Sequence, residues 1–261
     1  MILSFTRRLQ SQLEPDFKPY RQFWWSLGLA LTLWLTLVLV RPIVIEPYCD
    51  SSPKLCHRSQ VNSFDAPSIR KINFEWSFRS DWTQYMSGIL AVGGPAAWHA
   101  TWVIFRSVHP VLAMSAFASD FLIAFQAVAW SGVFTEASKL IFQRPRPFVY
   151  SHPHHQGHLK AYASYTSFYS GHTSFTAATG TVHFLTLLSR GASFGWLISS
   201  FILFLGLTLS TAVGRVLSAA HFPSDVIVGA MMGTIVAGFF FYHFRKKPLQ
   251  FKINQRRKPE L

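Results

Sequence analysis

Charge is scarce in this sequence. Asp, Glu, Lys and Arg make up 13% of its 261 residues, against roughly 25% in a soluble globular domain. A soluble fold with so few charges could not cover its own surface, which argues against that class. Acids are scarcer still, 11 against 24 Lys and Arg, for a formal net charge of +13. Such an excess can mean nucleic-acid binding. Here, however, the basic residues concentrate at the two ends, around apolar blocks, and no nucleic-acid motif is present. Cytoplasmic Lys and Arg flanking membrane spans account for the excess better. Cysteine is limited to Cys49 and Cys56. Two residues cannot make a four-ligand structural zinc site. In a loop outside the cytoplasm they could pair as a disulfide, and otherwise they are two free thiols. No internal repeat or low-complexity tract stands out.

What is abundant is apolar sequence, half of the chain, with 25 Phe and 9 Trp. A membrane helix needs about 20 mostly apolar residues to cross a hydrocarbon core of about 30 Å. Six such runs occur: Phe23 to Val40, Tyr85 to Phe105, Val111 to Phe134, Thr173 to Leu188, Ser193 to Val213 and Val226 to Phe244. The first is too long for a signal-peptide core and no small-residue cleavage pattern follows it, so it reads as a retained span. Gly93-Gly94-Pro95 in the second predicts a kink. The expectation is an all-α membrane bundle of six helices over residues 23–244. A basic segment, residues 1–22, precedes it and a basic tail, 245–261, follows. Six spans put both termini on one face. The termini and the two short turns on that face carry 13 of the 24 Lys and Arg. Weighting residues near span ends places the termini in the cytoplasm. The loops 41–84, 135–171 and 214–225 then face outward, toward the periplasm if the cell is a Gram-negative bacterium.

Two outward loops gather a set of reactive side chains. The first holds Lys139, Arg144 and Arg146-Pro147 and ends on Tyr169-Ser170-Gly171-His172, where the fourth span begins. The second holds Gly214-Arg215, His221 and Asp225. Transfer of a phosphoryl group spreads negative charge over the equatorial oxygens, which need fixed cations and N–H donors. Lys139, Arg146 and Arg215 supply charge, the arginines through a planar fork suited to phosphate. Ser170 can donate its hydroxyl. Gly171 lets the backbone approach, at a helix start whose dipole favours an anion. A neutral imidazole can attack phosphorus if its other nitrogen donates to an acceptor. Asp225, four residues after His221, is the natural acceptor if the two share a helix face. His172 can protonate the leaving alkoxide. No metal or cofactor is required, because the cations already neutralise the phosphate.

These residues resemble the type 2 phosphatidic acid phosphatases, the lipid phosphatase family whose pocket is shared with vanadium haloperoxidases. The family's first motif is Lys, six residues, Arg-Pro, matched by Lys139 through Arg146-Pro147. Its second is Pro-Ser-Gly-His, matched by Tyr169-Ser170-Gly171-His172. Its third is Ser-Arg, five residues, His, three residues, Asp, matched by Gly214-Arg215, His221 and Asp225. The resemblance implies a six-helix core with the site at the extracytoplasmic helix ends. It makes His221 the nucleophile that forms a phosphohistidine, Asp225 its orienting acid and His172 the general acid. Lys139, Arg146, Ser170, Gly171 and Arg215 would hold the phosphate. Tyr169 stands where the family has proline, and Gly214 where it has serine. The implied partner is a phosphorylated membrane lipid within the bilayer: phosphatidic acid, phosphatidylglycerol phosphate, a polyprenyl pyrophosphate or a lipid A phosphate. Two other readings keep the same residues, a lipid-to-lipid phosphotransferase and a non-catalytic phospholipid-binding or transport protein.

Neighbouring polar residues have simpler readings. Arg144 has no motif role and reads as a headgroup contact. Glu136, three residues before Lys139, reads as a helical salt-bridge partner. His152, His154, His155 and His158 lack the spacing of a zinc site and read as surface loop. Asp120, inside the third span, is either functional or hydrogen-bonded to a Ser or Thr of a neighbouring helix. His99 and His183 read as packed or hydrogen-bonded histidines, and Trp24, Trp25, Trp76 and Trp82 as interface-belt residues.

Overall fold

The computed structural model describes residues 21–51, 56–106, 108–151 and 161–245. The N-terminal segment through residue 20, the tail after Arg245 and the histidines at 152, 154, 155 and 158 lie outside the described residues. Among these residues the chain is all helical, with six long helices and no strand: α1 (Arg21–Val44), α2 (Phe74–Arg106), α3 (Pro110–Phe142), α4 (Gly171–Ser189), α5 (Phe194–Leu217) and α6 (Pro223–Phe244). Five of them, all but α4, are long and apolar enough to cross a membrane. The chain is a multi-pass membrane protein.

Two helices outrun their apolar sequence. α2 and α3 have 33 residues each, roughly 50 Å at 1.5 Å per residue. α2 starts eleven residues ahead of the apolar run at Tyr85, and α3 continues eight beyond Phe134. Both overhangs lie at the same end of the bundle and carry polar side chains: Ser77, Ser80 and Asp81 on α2, Glu136 and Lys139 on α3. α2 also runs through Gly93-Gly94-Pro95 without a break. Gly94 instead seats the ring of His183, which occupies the space a Cβ would need and packs on Phe204 with ring centroids 4.7 Å apart.

α4 is the innermost helix, packed by α2, α3, α5 and α6. Its buried face is rich in small and hydroxylated residues, among them Thr173, Ser174, Thr176, Thr179 and Thr186. A helix enclosed by protein needs close backbone approach more than an apolar surface, which fits its being the one long helix of the six that is not apolar and long enough to count as a span. Gly229 and Gly233 of α6 lie directly on α4, and a Cβ at either would strike the carbonyl of Ser170 or of Ser174. At the end of the bundle away from the overhangs, Asp120 of α3 is buried in an ionic cluster. It accepts from Arg190 Nε at 2.9 Å and Nη2 at 2.8 Å, pairs with His99 Nε2 at 2.9 Å and meets Arg245 Nη1 at 3.4 Å. Its partners are thus an imidazole on α2 and two arginines just past the ends of α4 and α6, not a hydroxyl of a neighbouring helix.

The long loop between α1 and α2 is stapled by a Cys49–Cys56 disulfide, Cα–Cα 5.7 Å, which decides between the two thiol readings. Cys49 N–H donates to Tyr165 Oη at 3.2 Å, tying this loop to the segment just ahead of α4.

Replacing Gly233 with Val is expected to destabilise the protein by about 1–3 kcal/mol, since overpacking a close helix contact forces backbone shifts. The check is a lower thermal midpoint in detergent than that of Gly238→Val, where a Cβ meets nothing within 4 Å.

Candidate active site

His221 sits in the short turn between α5 and α6, two residues before Pro223 opens α6. The turn is tight: Ala219 is held at φ 59°, a left-handed conformation unfavourable for a residue with a Cβ by about 1–2 kcal/mol. It is fixed by the backbone, with Phe148 N–H on the Ala219 carbonyl at 3.3 Å and His221 N–H on that of Arg215 at 3.2 Å. The imidazole is 2% exposed. Its Nδ1 lies 2.7 Å from the Ser167 carbonyl. A carbonyl can only accept, so Nδ1 carries the proton and Nε2 the lone pair.

The orienting acceptor is therefore a peptide carbonyl, and Asp225 acts one step away. Asp225 Oδ2 is 3.9 Å from His221 Nδ1, beyond hydrogen-bond reach. It accepts instead from Ser167 Oγ at 2.5 Å and Phe222 N–H at 2.9 Å. The i, i+4 argument assumes that both residues are helical, whereas His221 precedes the helix. Asp225 is the third helical residue and turns back to the N-cap N–H as capping-box acids do. By holding Ser167 it holds the carbonyl that holds His221.

Arg144 supports this arrangement and does not face the headgroups. Its Nη1 donates to Asp225 Oδ1 at 2.6 Å and Ser224 Oγ at 2.9 Å, its Nη2 to Asp65 Oδ2 at 2.8 Å, and it stacks 4.0 Å over Phe222. Asp65 comes from the α1–α2 loop and is fully buried. It also accepts from Ser224 N–H and Oγ at 3.0 and 2.7 Å and from Asn62 Nδ2 at 3.0 Å. Burial alone would raise its pKa, but the hydrogen bonds from Arg144, Ser224 and Asn62 outweigh that and hold the carboxyl below its ordinary value. Sequence reasoning missed Asp65, because no local pattern links it to residues some 80 and 160 positions away.

The cations converge on the same pocket. Lys139 pairs with Glu136 at 2.8 Å, and Glu136 with Arg41 of α1 at 2.8 Å, so the expected i, i+3 bridge is present with a second base added. A Cβ at Gly171 would meet Thr135 Cγ2 at 3.1 Å and Lys139 Nζ at 3.4 Å; the lysine lies against the first turn of α4. Arg146 donates from Nη2 to Thr166 Oγ1 at 3.2 Å. Arg215 reaches α2 through Nη1, to Ser77 Oγ at 3.2 Å, Ser80 Oγ at 3.4 Å and Asp81 Oδ1 at 3.2 Å. In both arginines the buried Nε has no hydrogen-bond partner, an expensive omission that an anion in the pocket would remedy. His172 pairs through Nε2 with the same Asp81 oxygen at 2.9 Å. Asp81 is the second acid that sequence reasoning missed, since it stands ahead of the apolar run of its helix. Ser170 differs from expectation in its contact. Its hydroxyl caps α4, accepting from Thr173 N–H at 3.4 Å and meeting Thr173 Oγ1 at 3.1 Å. The N–H groups of Gly171 and His172 precede the first intrahelical bond and are the donors the helix start offers an anion.

Electrostatics agree with this crowding. Burial pushes the His221 pKa well below the usual 6.5, and the charges of Arg146, Arg215 and His172 push it the same way, against the Ser167 carbonyl. The ring is neutral at pH 7. Among the described residues no group of three or more His, Cys, Asp or Glu is placed to hold a metal ion.

Comparison with known proteins follows the same lines. Residues 120–248 match the family described as the PAP2 superfamily. Undecaprenyl-diphosphatase BcrC of Bacillus subtilis (strain 168) is 32% identical over 105 residues, 40% of this chain and 47% of that protein. The match thus spans about half the length of that relative. No solved structure matches.

Nitrogen-15 NMR of histidine-labelled protein should show His221 as the neutral Nδ1–H tautomer at pH 7, with protonation only well below 6.5. The folded pKa is depressed, so this group stabilises the fold above about pH 6.5, and its contribution fades as pH falls below that value. An imidazolium at pH 7 would contradict the arrangement.

Proposed function

This chain belongs to the PAP2 superfamily over residues 120–248, and on that premise we propose that it hydrolyses a phosphate monoester or pyrophosphate of a membrane lipid through a phosphohistidine. The observation that carries the reading is His221: buried, neutral, its Nδ1 proton committed to the Ser167 carbonyl and its Nε2 free to attack. Lys139, Arg146, Arg215 and the N–H groups of Gly171 and His172 hold the phosphoryl oxygens. Ser170 contributes by capping the helix that presents them. His221 Nε2 forms the P–N bond as the P–O bond to the leaving oxygen breaks, and His172 supplies the proton to that oxygen. A water activated by the now neutral His172 then attacks phosphorus, the P–N bond breaks and phosphate departs. Asp225 acts through Ser167 on the nucleophile's orientation.

A lipid substrate is supported by the membrane-spanning helices and by an apolar cavity of about 240 Å³ between α2, α3 and α4, lined in part by Phe117, Phe121, Phe125 and Phe175. Phe175 of that lining stands one turn after His172 on α4. The relative's name makes a polyprenyl diphosphate the first substrate to test, beside phosphatidic acid, phosphatidylglycerol phosphate and a lipid A phosphate. The disulfide in the α1–α2 loop, on the same end as the site, supports an active face outside the cytoplasm; in a Gram-negative cell that is the periplasm.

The test is phosphate release from these lipids in detergent. Turnover is expected to persist in EDTA, because protein cations neutralise the phosphate, and to be inhibited by vanadate, which adopts the five-coordinate geometry of the reacting phosphorus. His221→Ala is expected to lose about 10³-fold or more, the scale on which enzymes lose activity without their nucleophile. Equal turnover by His221→Ala would remove the proposal.

A further inference from the structure

The machinery assigned above leaves one acid in the pocket without a task. Asp81 belongs to the overhang of α2, outside the 120–248 segment matched by the family. One of its oxygens, Oδ1, receives both His172 Nε2 at 2.9 Å and Arg215 Nη1 at 3.2 Å. Its side chain is 36% exposed, so it stands at the mouth of the pocket and is not a structural ion pair in the core.

A general acid must hold a proton when the leaving oxygen needs it. The surroundings of His172 work against that: burial pushes its pKa down to about 4, and the charges of Arg215, which lies against the same carboxylate oxygen, and of Arg146 push it the same way, with only Asp81 opposing them. Like charges at this range favour the neutral imidazole. A carboxylate in contact with the ring is the counterweight, and the arriving phosphate adds its own negative charge. The contact also selects the nitrogen. With Nε2–H committed to Asp81, Nδ1 is the nitrogen left for the leaving oxygen, as in any imidazole held by an acid on one side and working on the other. Arg215 is oriented by the same oxygen through Nη1, which leaves its buried, unpartnered Nε for the phosphoryl group.

Resting on the phosphatase reading, we propose that Asp81 is a positioning residue that makes His172 a competent acid for a poor leaving group. In the first half-reaction the P–O bond breaks as the His221 P–N bond forms. The His172 Nδ1 proton passes to the departing alkoxide, giving the lipid alcohol, and His172 ends neutral with Nε2–H still on Asp81. In the second half-reaction His172 takes a proton from water and returns to the imidazolium.

The experiment compares two substrates that differ in their need for that proton: a long-chain alkyl phosphate, whose leaving alkoxide is strongly basic, and a nitrophenyl phosphate bearing the same chain, whose phenolate departs unaided. Asp81→Asn is expected to lower kcat/KM for the alkyl substrate by about 100-fold, the usual scale of general acid catalysis, and for the aryl substrate only several-fold. Asp81→Glu, which keeps the charge, should recover part of the alkyl rate. The ratio of the two rates within one preparation does not depend on how much protein is folded. Equal losses on both substrates, or no loss on either, would overturn the proposal. If wild-type protein hydrolyses neither, the phosphatase reading fails and this inference with it.

Discussion

Positive charges crowded at a half-buried rim repel one another, and each costs free energy to take out of water. This protein gathers Lys139, Arg144, Arg146 and Arg215 at one end of the bundle, and the acids around them follow from that constraint. Glu136 compensates Lys139, Asp65 and Asp225 compensate Arg144, and Asp81 compensates Arg215. For Arg146 no acid partner is present among the described residues; its contact is the Thr166 hydroxyl. A pocket neutralised completely would have no use for phosphate, and one left wholly uncompensated would not stay folded. The distribution leaves net positive charge where a phosphoryl group would lie and spends every acid at the edges.

The motifs were legible because they are strings. Lys139 through Arg146, Ser170 through His172 and Arg215 through Asp225 could be placed at one rim from six apolar runs alone. What supports them was not legible, for two reasons. Hydropathy finds the part of a helix that meets lipid, so the overhangs of α2 and α3 read as loop, and Asp81 was lost with the first of them. Capping depends on where a helix begins to within one residue. Pro223 opens α6 two positions after His221, and that small offset moves Asp225 from the imidazole to the Phe222 N–H and the Ser167 hydroxyl. Arg144 was misread for a related cause: its partner Asp65 lies in a loop whose position is set by a disulfide and a contact with Tyr165, neither of which is a local pattern.

The two departures from the family's motifs become intelligible in the same terms. Tyr169 replaces a proline, which has no N–H. Here the Tyr169 N–H donates to Ser138 Oγ at 3.2 Å, so the substitution ties the approach to α4 onto α3. Gly214 replaces a serine. A Cβ at this position would meet Ser80 Cβ at 2.8 Å and the Trp76 carbonyl at 3.3 Å, so the missing side chain is what lets α2 approach α5. That approach brings Ser77 and Ser80 within 3.2 and 3.4 Å of Arg215 Nη1. Hydroxyls lost from one helix are supplied to the neighbouring arginine by another.

The same close approach links the site to the bundle beneath it. α2 can bring Asp81 to His172 only if it lies near α4 along its length, and Gly94, which seats His183, and Gly88, where a Cβ would just touch Phe175 at 3.4 Å, keep it there. α6 can bring His221 beside His172 only because Gly229 and Gly233 rest on the α4 backbone. At the far end Asp120 gathers His99 of α2 and the arginines just past α4 and α6, fixing the helices that carry Asp81, His172 and Asp225. Small residues along the seams set the separation and a buried ionic cluster sets the register. The opposite rim inherits both, which is how side chains from five separate stretches of sequence come together at one end of the bundle.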